Sequence, residues 1–126
     1  MGGKNDDLVG RINNDGISAA EAIKEWRGDG VKQKECLDFS NQNLNSVDFT
    51  GADLRGVSFR KAVLCYANFT EAILEGADFG GADLTDTIGL STTSGLLKAN
   101  FVGARLNFKD QKAILAMLEA SFLDGN

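Results

Sequence analysis

A large apolar residue recurs at every fifth position through the middle of the chain: Phe39, Leu44, Phe49, Leu54, Phe59, Leu64, Phe69, Leu74, Phe79 and Leu84. Two positions before each stands a second residue of the pattern: Leu37, Gln42, Val47, Ala52, Val57, Ala62, Ala67, Ala72, Ala77 and Ala82, mostly Ala from Ala52 onward. A step of five is not helical, because apolar residues on a helix face recur at three and four. It is not that of an ordinary strand either, where the period is two. The middle of the chain is therefore an internal repeat, and the repeat decides the fold.

The motifs Ala52-Asp53-Leu54, Ala77-Asp78-Phe79 and Ala82-Asp83-Leu84, several followed by one residue and Gly, resemble the pentapeptide-repeat family. The resemblance covers residues 37–86 and resumes at Ala99-Asn100-Phe101 and Ala104-Arg105-Leu106. It implies an all-β solenoid, a right-handed quadrilateral β-helix with one pentapeptide per face and four faces per coil. The Leu/Phe and Ala positions then point inward. On that geometry position i lies beneath i+20, and the Phe/Leu alternation sorts itself. Phe39, Phe59 and Phe79 share the first face, Leu44, Leu64 and Leu84 the second, Phe49 and Phe69 the third, Leu54 and Leu74 the fourth. Ladders of like side chains are the expected core of such a solenoid.

The register breaks after Leu84, since the next central position is Gly89. Twelve inserted residues, about Thr87 to Lys98, account for the gap. Phe101 is then expected on the third face above Phe69, and Leu106 on the fourth above Leu74. This makes about three coils over residues 37–107, with an irregular insert at 87–98. Residues 1–36 are expected to form an N-terminal helical cap and residues 108–126 a C-terminal helix.

The flanks carry helix signals. Ser18-Ala19-Ala20-Glu21 has the form of a capping box, followed by the apolar stripe Ala19, Ala22, Ile23 and Trp26, with Gly28 as a stop. A shorter helix is expected around Leu8–Ile12. Asn107 is placed to cap a helix from about Phe108 to Ser121, with Ile114, Leu115, Leu118 and Phe122 on its apolar side. Both helices are expected to be lids, because open coil ends carry unpaired backbone groups.

Composition narrows the chemistry. Lys and Arg number 13 against 18 Asp and Glu, a formal charge of −5. Nucleic acids and anionic membranes call for a basic surface, so neither is expected as a partner. His is absent, which removes His bases, His-containing triads and His metal ligands. The polar start, Met1 to Asp7, lacks a signal-peptide core and a myristoylation signal, so a cytoplasmic location is expected. Cys36 and Cys65 fall at different repeat offsets and on opposite faces, and are expected to stay reduced. No cofactor, metal or catalytic residue is expected.

Asp38, Asp48, Asp53, Asp78 and Asp83 stand at the outward position before the central residue. Their ladders, Asp38/Ser58/Asp78, Asn43/Val63/Asp83, Asp48/Asn68/Asn100 and Asp53/Ile73/Arg105, set no two acids in adjacent coils. Paired acid–base work needs close carboxylates, so turn hydrogen bonding is the expected role. Arg55 and Glu75, one coil apart, are expected to form an ion pair.

Val63, Cys65 and Tyr66 interrupt an otherwise polar second face, and an apolar patch on a polar wall marks a partner site. The insert, with its tip Ser91-Thr92-Thr93-Ser94, leaves from the end of that face and is expected to fold back over the patch. It is also an irregular loop on a rigid scaffold, where function concentrates. The candidate interaction residues are therefore Val63, Cys65, Tyr66, Ser91, Thr92, Thr93 and Ser94. The expected protein is a monomeric, non-enzymatic module or scaffold binding an unidentified protein. Alternatives are a DNA-mimicking inhibitor of DNA gyrase, known from some pentapeptide-repeat proteins, and an enzyme with an unrecognised carboxylate site. The first needs a continuous acidic row, which the ladders lack.

Overall fold

A computed structural model describes residues 8, 10–12, 18–28 and 37–123. Every regular five-residue unit is built alike. The carbonyl of the central residue accepts the N–H three residues on, as from Ala52 to Phe49 (2.9 Å) and Ala62 to Phe59 (3.0 Å). The third residue of this turn has positive φ, as in a type II turn. Gly supplies it at 51, 56, 76, 81 and 103, while Asn41, Ser46, Lys61, Tyr66, Glu71 and Asp86 adopt it at φ between 59° and 64°. The polar residue before the centre completes the turn: Thr50 N–H donates to Asp48 Oδ1 (2.9 Å), Thr70 N–H to Asn68 Oδ1 (3.0 Å) and Gly80 N–H to Asp78 Oδ1 (2.9 Å). This Asx geometry explains why Asp and Asn dominate that position.

Parallel bridges join these units into four ladders: Asp38–Ser58–Asp78–Asn100, Asn43–Val63–Asp83–Arg105, Asp48–Asn68–Ile88 and Asp53–Ile73–Ser94. Only Asp83–Leu84 (β1) and Arg105–Leu106 (β2) extend to two-residue parallel strands; the rest are single bridges. The architecture is thus that of stacked parallel coils, a β-helix. Its fourteen bridging positions at four per turn make three and a half turns rather than the three expected. Inside, Phe59, Phe79 and Phe101 stack at centroid spacings of 4.9 and 5.1 Å, and Phe49 lies 5.4 Å from Phe69. Phe39 to Phe79 and Leu44 to Leu84 are all buried.

Residues 87–98 depart furthest from expectation. They are not an insert. They form two further walls, with Ile88 bridging Asn68 and Ser94 bridging Ile73. Gly89 and Gly95 take the central positions in the left-handed region (φ 73° and 74°), and the 3-10 turns Leu90–Thr92 and Leu96–Lys98 follow. Glycine is required at both positions. A Cβ on Gly89 would lie 2.2 Å from Thr70 Oγ1 and 2.7 Å from Thr70 Cα, and one on Gly95 would lie 2.7 Å from the Glu75 nitrogen. The apolar side chain moves one residue along, so Leu90 and Leu96 become the buried ones. Each unit has six residues instead of five. Phe101 consequently stacks on Phe79 in the first ladder, not over Phe69, and Leu106 pairs with Leu84 rather than Leu74. The ladders expected to run Asp48/Asn68/Asn100 and Asp53/Ile73/Arg105 end instead in Ile88 and Ser94.

Helix α1 (Ala19–Arg27) starts where expected, with Ser18 Oγ accepting from Glu21 N–H at 3.1 Å. Ala19, Ala22, Ile23 and Trp26 are buried in one cluster with Leu37 and Phe39. Leu8 and residues 10–12 are helical, as expected; Leu8 is buried and Arg11 pairs with Glu25 at 2.7 Å. Arg27 ties the cap to the first coil through Nη2 and the Arg55 carbonyl (2.8 Å).

Helix α2 (Phe108–Leu123) packs over the two 3-10 turns. The Asn107 carbonyl accepts from Gln111 N–H, but its side chain accepts from Asp86 N–H (3.1 Å) and so does not cap the helix. The buried side also differs from expectation. Asp110 is buried and Ile114 and Met117 are half-buried, whereas Leu115 and Leu118 are exposed. The side chain of Phe122 lies outside the described residues.

Candidate functional site

The acids serve the turns. The Thr50 hydroxyl and then its N–H hold the Asp48 carboxyl below the usual carboxylate range, and Thr85 does the same for Asp83. At Asp78 burial pushes upward, but the Gly80 N–H, Arg60 and Asn100 outweigh it and the pKa is lowered. None of the four ladders sets two acids in adjacent turns. Among the described residues, no group of three or more His, Cys, Asp or Glu is placed to hold a metal ion, and no helix is long and apolar enough to cross a membrane.

The expected Arg55–Glu75 pair does not form. Arg55 folds back on Asp53 in its own unit, with Nη2 2.7 Å from Oδ2 and Nε 2.8 Å from Oδ1. Asp53 already accepts Arg55's N–H, so the guanidinium has a carboxylate waiting at the shortest reach. Glu75 lies 3.9 Å from Lys98 instead. A closer cross-turn pair joins Arg60 to Asp78, 3.0 Å apart.

Cys65 is a free thiol, and Cys36 lies outside the described residues. Burial, then the negative Asp83 to which the thiol donates, pushes the Cys65 pKa up. A protonated thiol is a poor nucleophile.

Residues 87–98 do not cover the second wall, contrary to expectation. Leu90 and Leu96 turn into the core, while Val63 and Tyr66 stay exposed at 37% and 59%. Cys65 is half-buried, its N–H donating to Asn45 Oδ1. The expected tip is not a tip. Thr92 Oγ1 donates to the Gly89 carbonyl and accepts from Glu71 N–H, Thr93 Oγ1 donates to the Leu90 carbonyl, and Ser94 is a bridge residue. Ser91 alone of the four joins Tyr66, in a cleft of about 470 Å³.

That cleft lies where the coil meets the start of α2. Besides Tyr66 and Ser91 it is lined by Asp86, Thr87, Ile88 and Asp110. Neither Thr87 nor Asp110 stood among the residues expected from the sequence. A signal was present, because Thr87 occupies the inward position held by Ala67, Ala72, Ala77 and Ala82 in preceding units. A larger cleft of about 1230 Å³ separates α1 from the first coil, lined by Lys24, Arg27, Asp53 and Arg55 among others. Its arginines are engaged with the Arg55 carbonyl and with Asp53.

Comparison with curated proteins gives no match. Comparison with family models finds pentapeptide repeats, eight copies, over residues 36–60 and 54–88. These stretches contain the first ten central residues and the turn acids described above. Residues 36–88 therefore carry pentapeptide repeats, matching the family resemblance expected from the sequence.

Proposed function

We propose that this protein is a binding module, with the wall around Val63 and Tyr66 engaging a protein partner. The family is consistent with a non-enzymatic repeat protein. The family also implies that the coil is a right-handed quadrilateral β-helix, and four ladders at spacings of 20 to 22 residues support that reading.

Tyr66 carries the interaction reading. It holds φ 64°, a conformation unfavourable for a bulky side chain, and presents 59% of its surface to solvent. Neighbouring units place Ser46 and Asp86 at the same offset. A tyrosine there adds nothing to the core and supplies the rigid amphipathic surface that interfaces favour. Val63 and Ile88, 37% and 52% exposed, extend the apolar surface on the adjacent ladders. Cys65 and Ser91 border it; Thr92, Thr93 and Ser94 serve the backbone.

The test is crosslinked capture from native lysate with wild type and a Val63→Asp, Tyr66→Asp double variant of confirmed fold. Loss of a specific partner in the variant supports the reading. A partner retained by the variant overturns this wall as the contact surface.

A further inference from the structure

The cleft between the coil and α2 contains polar groups that the fold itself does not use. Thr87 is 9% exposed, and its buried Oγ1 faces the Asp110 carboxyl without closing a hydrogen bond of ordinary geometry. Asp110 is 8% exposed. Burial pushes the Asp110 carboxyl up, while Lys109 and the Thr87 hydroxyl pull it down more weakly. A nine-tenths-buried hydroxyl and carboxyl joined by no well-formed bond forfeit hydrogen bonding that water would have supplied. Both side chains line the same cleft, together with Asp86, Tyr66, Ile88 and Lys109. The volume, about 470 Å³, is at the lower end of the ~300–1,000 Å³ range of small-ligand sites.

We infer that this cleft receives an arginine side chain of a protein partner, with the guanidinium held by the Asp110 and Asp86 carboxyl groups and the Thr87 hydroxyl orienting Asp110. Three features select that chemistry. The cleft presents two carboxyl groups against the single ammonium of Lys109, so a further cation balances it. A guanidinium offers five N–H donors in a planar fork, matching two carboxyl acceptors better than the three donors of an ammonium. The half-exposed Tyr66 ring and Ile88 at the same cleft supply an aromatic face and an apolar edge for the side-chain stem. The inference rests on the reading of the adjoining wall as an interaction surface and names the chemistry of its partner.

The test is a titration of the isotopically labelled protein with N-acetyl-arginine amide, followed by backbone amide NMR, alongside its lysine and norleucine counterparts. Saturable shifts at Thr87, Ile88 and Asp110 are expected with the arginine probe, at least threefold weaker binding with lysine, and none with norleucine. Asp110→Asn should weaken arginine binding at least tenfold. Thr87→Val should weaken it, and Thr87→Ser should retain it, with folding of each variant checked by its amide spectrum. Shifts of equal size with norleucine, or arginine shifts unchanged in Asp110→Asn, would overturn the assignment. So would the absence of saturable shifts at these residues. In the lysate capture, a partner lost by the Val63→Asp, Tyr66→Asp variant but kept by Asp110→Asn would leave the wall standing and remove the cleft. A partner kept by both variants would remove the wall itself.

Discussion

Phe101 lies over Phe79 with ring centroids 5.1 Å apart and planes inclined by 3°. The two residues are 22 apart, while Phe59 and Phe79, 20 apart, stack with centroids 4.9 Å apart. The coil therefore absorbs two extra residues within one turn and returns to its original stacking. It does so at Gly89-Leu90 and Gly95-Leu96, where a left-handed glycine lets the chain bend and the next residue fill the core.

Glycine substitutions should separate close approach from strain alone. Gly51 has positive φ but open space around its Cβ direction, so Gly51→Ala should cost about 1 kcal/mol. Gly89→Ala carries the same strain and drives a methyl group into the Thr70 backbone, so about 3 kcal/mol or more is expected. Urea denaturation of both variants checks the order. Equal costs would contradict the tight contact at Thr70.

A charge at the centre of the Leu ladder should be intolerable. Leu64 is fully buried between the adjacent turns. Leu64→Asp should exceed about 4 kcal/mol, a large share of the ~5–15 kcal/mol that holds a domain together. Circular dichroism on heating should show a lost or greatly lowered transition. A cooperative melt near the wild-type temperature would refute the inward register.

Stability should fall in acid. The folded pKa values of Asp48, Asp53, Asp78 and Asp83 are depressed below the unfolded value of about 3.9. Their contribution is fully present above the unfolded pKa and is lost as pH falls through the folded values. Asp110 acts in the opposite sense: its folded pKa is raised, so ionisation costs stability as pH rises through that range. Because four groups oppose one, melting temperature should drop below about pH 4. Asp48→Asn should reduce the slope. A melting temperature constant from pH 7 to pH 3 would contradict the turn hydrogen bonds.

Tyr66→Gly should stabilise the fold while abolishing partner capture. Glycine relieves the positive φ at the cost of greater freedom in the unfolded chain, leaving a gain of about 0.5 kcal/mol. With 59% of the residue exposed, little buried surface is lost. Denaturant unfolding gives the first quantity and lysate capture the second. A marked loss of stability would show the ring to be a packing element.

The five-residue period, the inward Phe, Leu and Ala, the Asx turns and both terminal helices were legible because each follows from local chemistry. An aspartate two residues before a turn N–H, or Ser18 three before Glu21, acts within a few residues whatever the rest of the chain does. The exposed acids were legible as turn residues for the same reason. The path through 87–98 was not. Once glycine takes the central position and leucine follows it, the fifth-position signal disappears, and two six-residue walls look like one twelve-residue insertion. The partner of Arg55 was equally hidden, because both Asp53 and Glu75 lay within reach and only the side-chain path chose between them.

The repeat, its inward residues through Leu84 and the two terminal helices follow from residue order alone, since apolar burial and turn chemistry are written at short range. Long-range packing settles which turn Phe101 joins, which side of α2 is left in solvent, and that Thr87 and Asp110 meet in one cleft. Those outcomes depend on cumulative register. A one-residue change in two consecutive walls shifts which residues lie opposite, and the close packing of Gly89 on Thr70 and of Phe101 on Phe79 selects among the alternatives.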